Sequence, residues 1–512
     1  MGLRSDRGPV LGGLMLAIAL VALDTTIIST AVPSIVTDLG GFSAFPWLFS
    51  VYLLTQAVTV PLYGRFADMR GRRPVLFFGI ALFLAGSVLC GAAWNMPSLI
   101  VFRGLQGLGA GAVQPMTMTI VGDLYTVRER ARVQGYVGSV WGASAVIGPG
   151  IGGLFSQYLS WRWIFFVNLP IGALAVWMLV RHYREQVGGH RHRIDVAGSL
   201  LLVGGCTLVI LGLLQGGVSW AWGSPAGIGI FAVAAVLLVR FWFVERRTAE
   251  PVLPLWVFRH RVLVGGNLAA AVVGATLIGM NSYVPTFVQG VLGTGALVAG
   301  FSLAALSVGW PLASAWSGRV YIRIGFRDTA LIGAGIAVAG SVWMALFGRS
   351  VTVWQIGAGC FVVGVGLGLS ASPTLVAVQS VVDWQRRGVV TGTYMFSRSL
   401  GSAVGVAVFG AIVNGSLAAR LAHPPAEVVG RLPPGLDATG LVLAGNSRTT
   451  PPVVAAFLRS ALYDAGHRVF LGLAVVSLTA VLAVALMPRR VTDLAPAPAA
   501  ELTGPEPAPD AG

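Results

Sequence analysis

An aspartate at position 24 stands about midway along an apolar run over residues 10–36. At 1.5 Å of rise per helical residue it lies roughly 20 Å from the start of the run, near the middle of a hydrocarbon layer about 30 Å thick. A charge at that depth costs about 2.5–3.5 kcal/mol on insertion scales, so an acid there marks a functional site, and carrying protons is the chemistry open to it. Arg103 lies a few residues inside another apolar run, 98–121. An intramembrane arginine needs an acceptor or a water-filled cavity. Asp24 is the one acid well inside a span, so the two are expected to meet, directly or through water. Pairing favours the charged carboxylate and desolvation the neutral one, so a rearrangement that separates them would bind or release a proton. The plain alternative is a structural ion pair, which adds little net stability.

Other chemistries find few residues to work with. All 34 basic residues are arginine. Without lysine there is no P-loop and no Schiff base, so the usual ATP-binding motif is lacking. Cys90, Cys206 and Cys360 fall in separate apolar runs and read as small buried hydrophobes. His190-Arg191-His192 reads as a solvated basic loop rather than a metal site. No metal, cofactor or nucleophile–base constellation is expected, and an enzyme is the least favoured class. Gly107/Gly109/Gly111 and Gly364/Gly366/Gly368 imitate nucleotide loops but lie in spans with no strand before them, and read as helix packing.

The elements that must position Asp24 follow from composition. The chain has 512 residues, 55% of them hydrophobic and 10% charged, against about 25% charged in a soluble domain. Spanning runs occur at about 10–36, 47–67, 74–94, 98–121, 132–156, 163–181, 195–215, 224–244, 262–290, 296–320, 328–348, 353–381, 389–415 and 467–487. The fold class expected is all-α polytopic membrane, with fourteen spans and both termini on one side. Twenty-five of the 34 arginines fall on the side of the termini and seven on the other, four of those in one long loop over about 416–466. That bias places both termini in the cytoplasm and explains the pI of about 10.9 without nucleic acid. The loop is Pro-rich and holds an apolar segment, Val453–Leu462, suited to lying on the membrane surface. The tail 491–512 has a disordered composition.

An internal repeat is visible. Gly64-Arg65 through Gly71-Arg72-Arg73 after the second run returns as Gly318-Arg319 through Gly325-Phe326-Arg327 after the tenth, with Ile322 in the place of Asp68. The repeat divides the chain into a six-helix bundle over 1–181, two inserted helices over 182–260 and a second six-helix bundle over 261–490. Parallel repeats of this kind build transporters whose cargo site lies between the halves.

At these motifs the chain resembles the major facilitator superfamily, and its 14-helix drug:proton antiporters in particular. The loop after helix 2 is similar to the GxLaDrxGrr signature. Arg103-Gly104-Leu105-Gln106-Gly107 is similar to the RxxqG element of helix 4. Gly148-Pro149-Gly150-Ile151-Gly152-Gly153 resembles the GPxxGG antiporter motif, and Leu23-Asp24-Thr25-Thr26-Ile27 the LDxTI element. Ser160-Trp161-Arg162-Trp163-Ile164-Phe165-Phe166-Val167-Asn168-Leu169-Pro170 resembles the WRWiFxiNxP segment. Phe396-Ser397-Arg398-Ser399-Leu400-Gly401 resembles a segment of the penultimate helix. Departures include Met69 in the loop motif, Ser144 for a glycine in helix 5, and the lack of any acid over 296–320.

The resemblance implies a proton-coupled antiporter in a bacterial-type inner membrane, exporting amphiphilic drugs or antibiotics by alternating access. Asp24 and Arg103 would couple protons. Asp68, Arg72, Arg73 and Asp123 would form a charge network locking the halves; from spacing alone, Asp68 and Arg72 are a solvated i,i+4 pair worth under about 1 kcal/mol. Gly148, Pro149, Gly152 and Gly153 would form the antiporter motif. Tyr52, Gln56, Gln114, Thr117, Asn281, Ser282 and Arg398 are candidate cavity residues. The partners implied are a small amphiphilic molecule, protons and the lipid bilayer, with no nucleic acid. Rival readings are a dedicated exporter of an endogenous metabolite, siderophore or lipid, and a non-transporting receptor or scaffold.

Overall fold

The structure, a computed structural model, describes residues 7–39, 46–185, 196–216, 220–248, 255–294, 296–425, 427–428 and 451–489. Among them fourteen long helices follow the expected spans. They are α1 (Gly8–Leu39), α2 (Pro46–Arg70), α3 (Arg72–Gly91), α4 (Met96–Leu124), α5 (Val127–Tyr158), a single turn at Trp163–Phe166 leading into α6 (Asn168–His182), α7 (Val196–Gln215) and α8 (Pro225–Glu245). The rest are α9 (Arg261–Leu292), α10 (Ala296–Ile324), α11 (Phe326–Ala345), α12 (Val353–Ser380), α13 (Arg387–Leu421) and α14 (Pro452–Ala485). Helices are the form that satisfies every backbone donor and acceptor without water. Ten of these segments are long and apolar enough to cross a membrane by composition. The more polar α2, α4 and α5, which fall outside that group, bear the charged motifs.

Each half has its own apolar core. Leu14, Leu76, Phe83, Val113, Ile120 and Leu179 belong to one buried cluster within α1–α6. Met280, Phe287, Cys360, Phe409, Leu458 and Phe470 belong to another within α9–α14. The repeat is visible in backbone geometry. Gly71 before α3 has φ 96° and ψ 158°, and Gly325 before α11 has φ 91° and ψ 163°. That left-handed turn is open to glycine and strained for other residues, which is why both copies keep it. Asn95 before α4 and Thr352 before α12 each close a capping box.

The loop expected over about 416–466 is narrower than its composition suggests. α13 continues to Leu421 and α14 begins at Pro452. The segment Val453–Leu462 is therefore the start of a spanning helix, not a surface strip. Pro452 is pre-set for the first helical turn, and Val454, Leu458, Ala461 and Leu462 form a helical stripe buried in the second core. His190-Arg191-His192 and the tail 491–512 lie outside the described residues.

The halves meet through α2 against α13 and α5 against α10. The close approaches all lie toward the face that carries the chain termini. Gly64 faces the Gly388 carbonyl, and Gly135, Gly138 and Gly142 face Ala315, Pro311 and Ser307. Farther along, α5 leaves α10 and packs on α1, where a Cβ at Gly148 would come within 2.1 Å of Thr26 Oγ1. An apolar floor closes the space between the halves, built by Ile18, Val60, Met118 and Val137 from one side and Leu263, Leu375, Val378, Tyr394 and Met395 from the other. The α7–α8 hairpin covers the α2–α13 seam through Leu202, Cys206, Phe241 and Ala403.

Candidate functional site

Asp24 lies at the centre of a sealed polar cluster. Arg103 Nη1 donates to its Oδ2 at 2.5 Å, and Gln106 Nε2 donates to its Oδ1 at 2.8 Å. Asn168 Nδ2 reaches the same Oδ1 at 3.4 Å and Ser87 Oγ at 2.9 Å, and Gln106 also donates to Ser87 at 2.7 Å. Arg103 makes two further bonds, to Leu48 O at 3.2 Å and Gln106 Oε1 at 2.7 Å. The guanidinium stacks 4.1 Å from the Tyr52 ring centroid. Asp24 is 3% exposed and Arg103 1%. Asp24 is supplied by α1, Tyr52 by α2, Ser87 by α3, Arg103 and Gln106 by α4, and Asn168 by α6. All of them are elements of the first half.

The expected partners Asp24 and Arg103 are thus brought together, and three neutral residues join them. Gln106 and Asn168 stand inside motifs already noted for their spelling. Gln106 follows Arg103 by three residues and so shares its helical face. Ser87 has no signal beyond being polar in an apolar helix. Tyr52 lines this cluster rather than an open space, and its hydroxyl has no hydrogen-bond partner among the described residues.

A second polar cluster sits at the termini face and joins the halves. Asp68 accepts from Arg72 at 2.9 Å and from the backbone N–H groups of Gly388 at 2.9 Å and Val389 at 2.7 Å. Those two amides are free at the first turn of α13, where a carboxylate also meets the positive end of the helix dipole. Asp123 lies 3.2 Å from Arg72 Nε and accepts from Arg387 Nη1 at 3.0 Å. Arg72 donates to Trp384 O and lies 3.9 Å over that ring. Burial pushes Asp68, just past the apolar part of α2, up to about 7 against the opposing pull of Arg72 and the two amides. Burial also raises Asp123, opposed by Arg72 and Arg387.

Asp68, Arg72 and Asp123 therefore share one network, and Arg387 and Trp384 complete it from the other half. Arg73 is engaged elsewhere. Its side chain donates to Val180 O at 3.3 Å and lies 5.4 Å over Phe77. Glu185, which no motif points to, accepts from the backbone N–H groups of Arg72 at 2.6 Å and Arg73 at 2.8 Å. It caps α3 in place of the side chain that Gly71 lacks.

Gly148 and Gly152 are buried, and α5 stays helical through the whole motif that also holds Pro149 and Gly153. Thr26 Oγ1 donates across to Ser144 O at 3.0 Å. Serine in place of glycine at 144 thus leaves this contact intact, because the group used is its carbonyl. Among the cavity candidates, Gln114 is buried and Thr117 bonds back to Val113 O at 2.8 Å. Gln56 and Arg398 are partly exposed, while Asn281 and Ser282 are exposed on α9. On the face opposite the termini, Asp38 accepts from Arg162 at 2.7 Å and Trp161 Nε1 at 3.0 Å, and these bonds hold its carboxyl below the usual range.

Comparison with known proteins shows the family. The family model described as Major Facilitator Superfamily matches residues 14–406. The chain is 34% identical over 520 residues to the multidrug transporter protein MdtP of Bacillus subtilis, covering 96% of this chain and 95% of that one. It is 35% identical over 404 residues to multidrug resistance protein 3 of the same species, covering 78% of each. The crystal structure of the human organic anion transporter MFSD10 (TETRAN) superposes with a TM-score of 0.58 at 14% identity, covering 94% of this chain and 99% of that one, and so shares the fold.

Proposed function

The chain belongs to the major facilitator superfamily as a multi-pass membrane transporter, and on that premise we propose that it exports amphiphilic drugs or antibiotics in exchange for protons. The observation that carries this reading is the Asp24 cluster, one carboxylate held at mid-membrane by a guanidinium and two amides. The names of its relatives as multidrug proteins support the cargo class.

In this reading both termini face the cytoplasm of a bacterial-type inner membrane, as the arginine bias argues. The closed termini face then makes this the state open to the outside. A proton arriving at Asp24 neutralises it, and Arg103 keeps Leu48 O, Gln106 and the Tyr52 ring. Asp24 is two residues from Thr26, whose contact with Ser144 and Gly148 passes any shift of α1 to α5. The other end of α5 forms the seam with α10, so the shift acts on the closed face. Asp68, Arg72 and Asp123 hold that face until it opens. The halves act as units over 1–181 and 261–490, with 182–260 as the insertion between them.

The test is efflux of a compound panel from vesicles under an imposed pH gradient. Asp24→Asn abolishes gradient-driven efflux at near-normal expression. Undiminished driven efflux in that variant refutes the proton-carrier role.

A further inference from the structure

Two arginines lie inside the spans, and the structure treats them oppositely. Arg103 is paired with Asp24 and held by Leu48 O and Gln106. Arg398 stands about 17 Å along α13 from Arg387, near mid-membrane by helical rise. No hydrogen bond or ion pair reaches its guanidinium among the described residues, where only its backbone carbonyl is engaged, by Ser402. The acids able to neutralise such a charge are engaged elsewhere. Asp24 is bound to Arg103, Asp328 lies near Arg489 and Asp464 near Arg420 and Arg349. Over 262–415 the sequence has acids only at Asp328, at the very start of its span, and Asp383, between spans.

The position of Arg398 says what it faces. Thr391, Tyr394 and Arg398 fall on one side of α13 at helical spacing. Thr391 meets Gln379, which reaches across to Met118 O of the other half at 3.2 Å. Tyr394 meets Thr374 and belongs to the apolar floor between the halves. Arg398 is therefore one turn above that floor, and it is partly exposed. The α7–α8 hairpin packs on the opposite side of α13, near Phe396, Leu400 and Ala403.

We infer that Arg398 is the recognition group of the cavity for a negatively charged cargo, an amphiphile bearing one carboxylate beside an apolar body. An unpaired arginine at this depth is costly until an acceptor arrives. Its planar fork fits a carboxylate through two parallel bonds, which a neutral amide cannot reproduce at the same strength. Tyr394, Met395 and the floor below take the apolar part. The inference rests on the efflux reading for the identity of the cavity and adds the charge of what enters it.

The test uses matched fluorescent probes, pyrenebutyrate and its primary amide, with the full chain in lipid nanodiscs and empty nanodiscs subtracted. The wild type binds the acid about tenfold or more tightly than the amide, the scale of one charge-assisted contact. Arg398→Gln brings that ratio to about one with amide affinity unchanged. Arg398→Lys, which keeps the charge if the Gln variant does not fold, retains part of the preference. Equal binding of the two probes by the wild type, a preference that survives Arg398→Gln, or binding of neither probe overturns the inference. Acid-selective binding without gradient-driven efflux of either probe in vesicles leaves the anion site standing and removes the efflux reading.

Discussion

The two carboxylate networks are built from the same pairs of residue types and differ in what they connect. Asp24, Arg103, Gln106, Ser87 and Asn168 all belong to the first half. Asp68, Arg72 and Asp123 bond to Trp384, Arg387, Gly388 and Val389 of the second. Rigid rocking of one half against the other must break the second network and can leave the first untouched. In the proposed mechanism coupling at Asp24 therefore acts through a local shift of α1 against α4, whereas the Asp68 network responds to the opening itself. In that mechanism one senses a proton and the other holds a state.

The largest expected effect lies in the first network. Arg103→Ala leaves Asp24 without its counter-charge, so driven efflux falls by at least an order of magnitude and its pH profile moves alkaline. Arg103→Lys recovers only part, lacking the planar group that serves Asp24, Gln106 and Leu48 O together. The same variants leave the distance between labels on α2 and α13, read by pulsed electron spin resonance, unchanged. An altered distance would collapse the distinction between the networks.

A smaller effect is expected from Asp123→Asn. Losing the charge partner of Arg72 and Arg387 lowers the closed population at the termini face severalfold, visible as a broadened label distance. The Asp24 cluster is untouched, so the part of proton uptake that Asp24→Asn removes is retained. Loss of that uptake would show that the networks titrate together.

Asp68 sharpens the comparison through pH. Its value is raised to about 7 by burial in the closed state and returns toward the ordinary value of 3.8 when the face opens to water. The closed state thus binds the proton more tightly. Acid favours closure, and this contribution is lost as pH rises from about 4 through about 7. Asp68→Asn keeps an acceptor for the Gly388 amide but cannot titrate, so its closed population is flat over that range. An unchanged slope in the variant would move the titration elsewhere.

The smallest effect belongs to Glu185→Gln. It weakens the cap on α3 by about 1 kcal/mol or less, lowers thermal stability slightly and reduces closure no more than about fivefold. A collapse of closure would make Glu185 a full member of the gate.

The spans and the repeat are legible because apolar length and glycine spacing are local signals. The Asp24–Arg103 pairing is legible because only one acid and two arginines stand deep in the spans. Glu185 is not, since its partners are backbone amides more than a hundred positions away. Nor are the cavity residues. Thr117 bonds its own helix, Tyr52 lies under Arg103, and Asn281 and Ser282 are exposed. Lipid-facing, packed and cavity-facing positions draw on the same residue types, so spacing alone does not sort them. The start of α14 misleads for a related reason, because a short apolar stretch beside a polar loop reads the same on a membrane surface as in a bundle.

The seam between α5 and α10 has an energetic meaning of its own. Gly135, Gly138 and Gly142 meet Ala315, Pro311 and the backbone of Ser307, with little side chain between the helices. Apolar contact stabilises by about 25 cal/mol for each Å² removed from water, and surfaces this bare remove little. Backbone-to-backbone fit still excludes water, because dispersion contact falls away within an ångström of separation. The seam is close-fitting yet gains little from apolar burial, a latch shallow enough to be undone on every turnover of the proposed cycle. A leucine at Gly138 would act as a wedge in that latch.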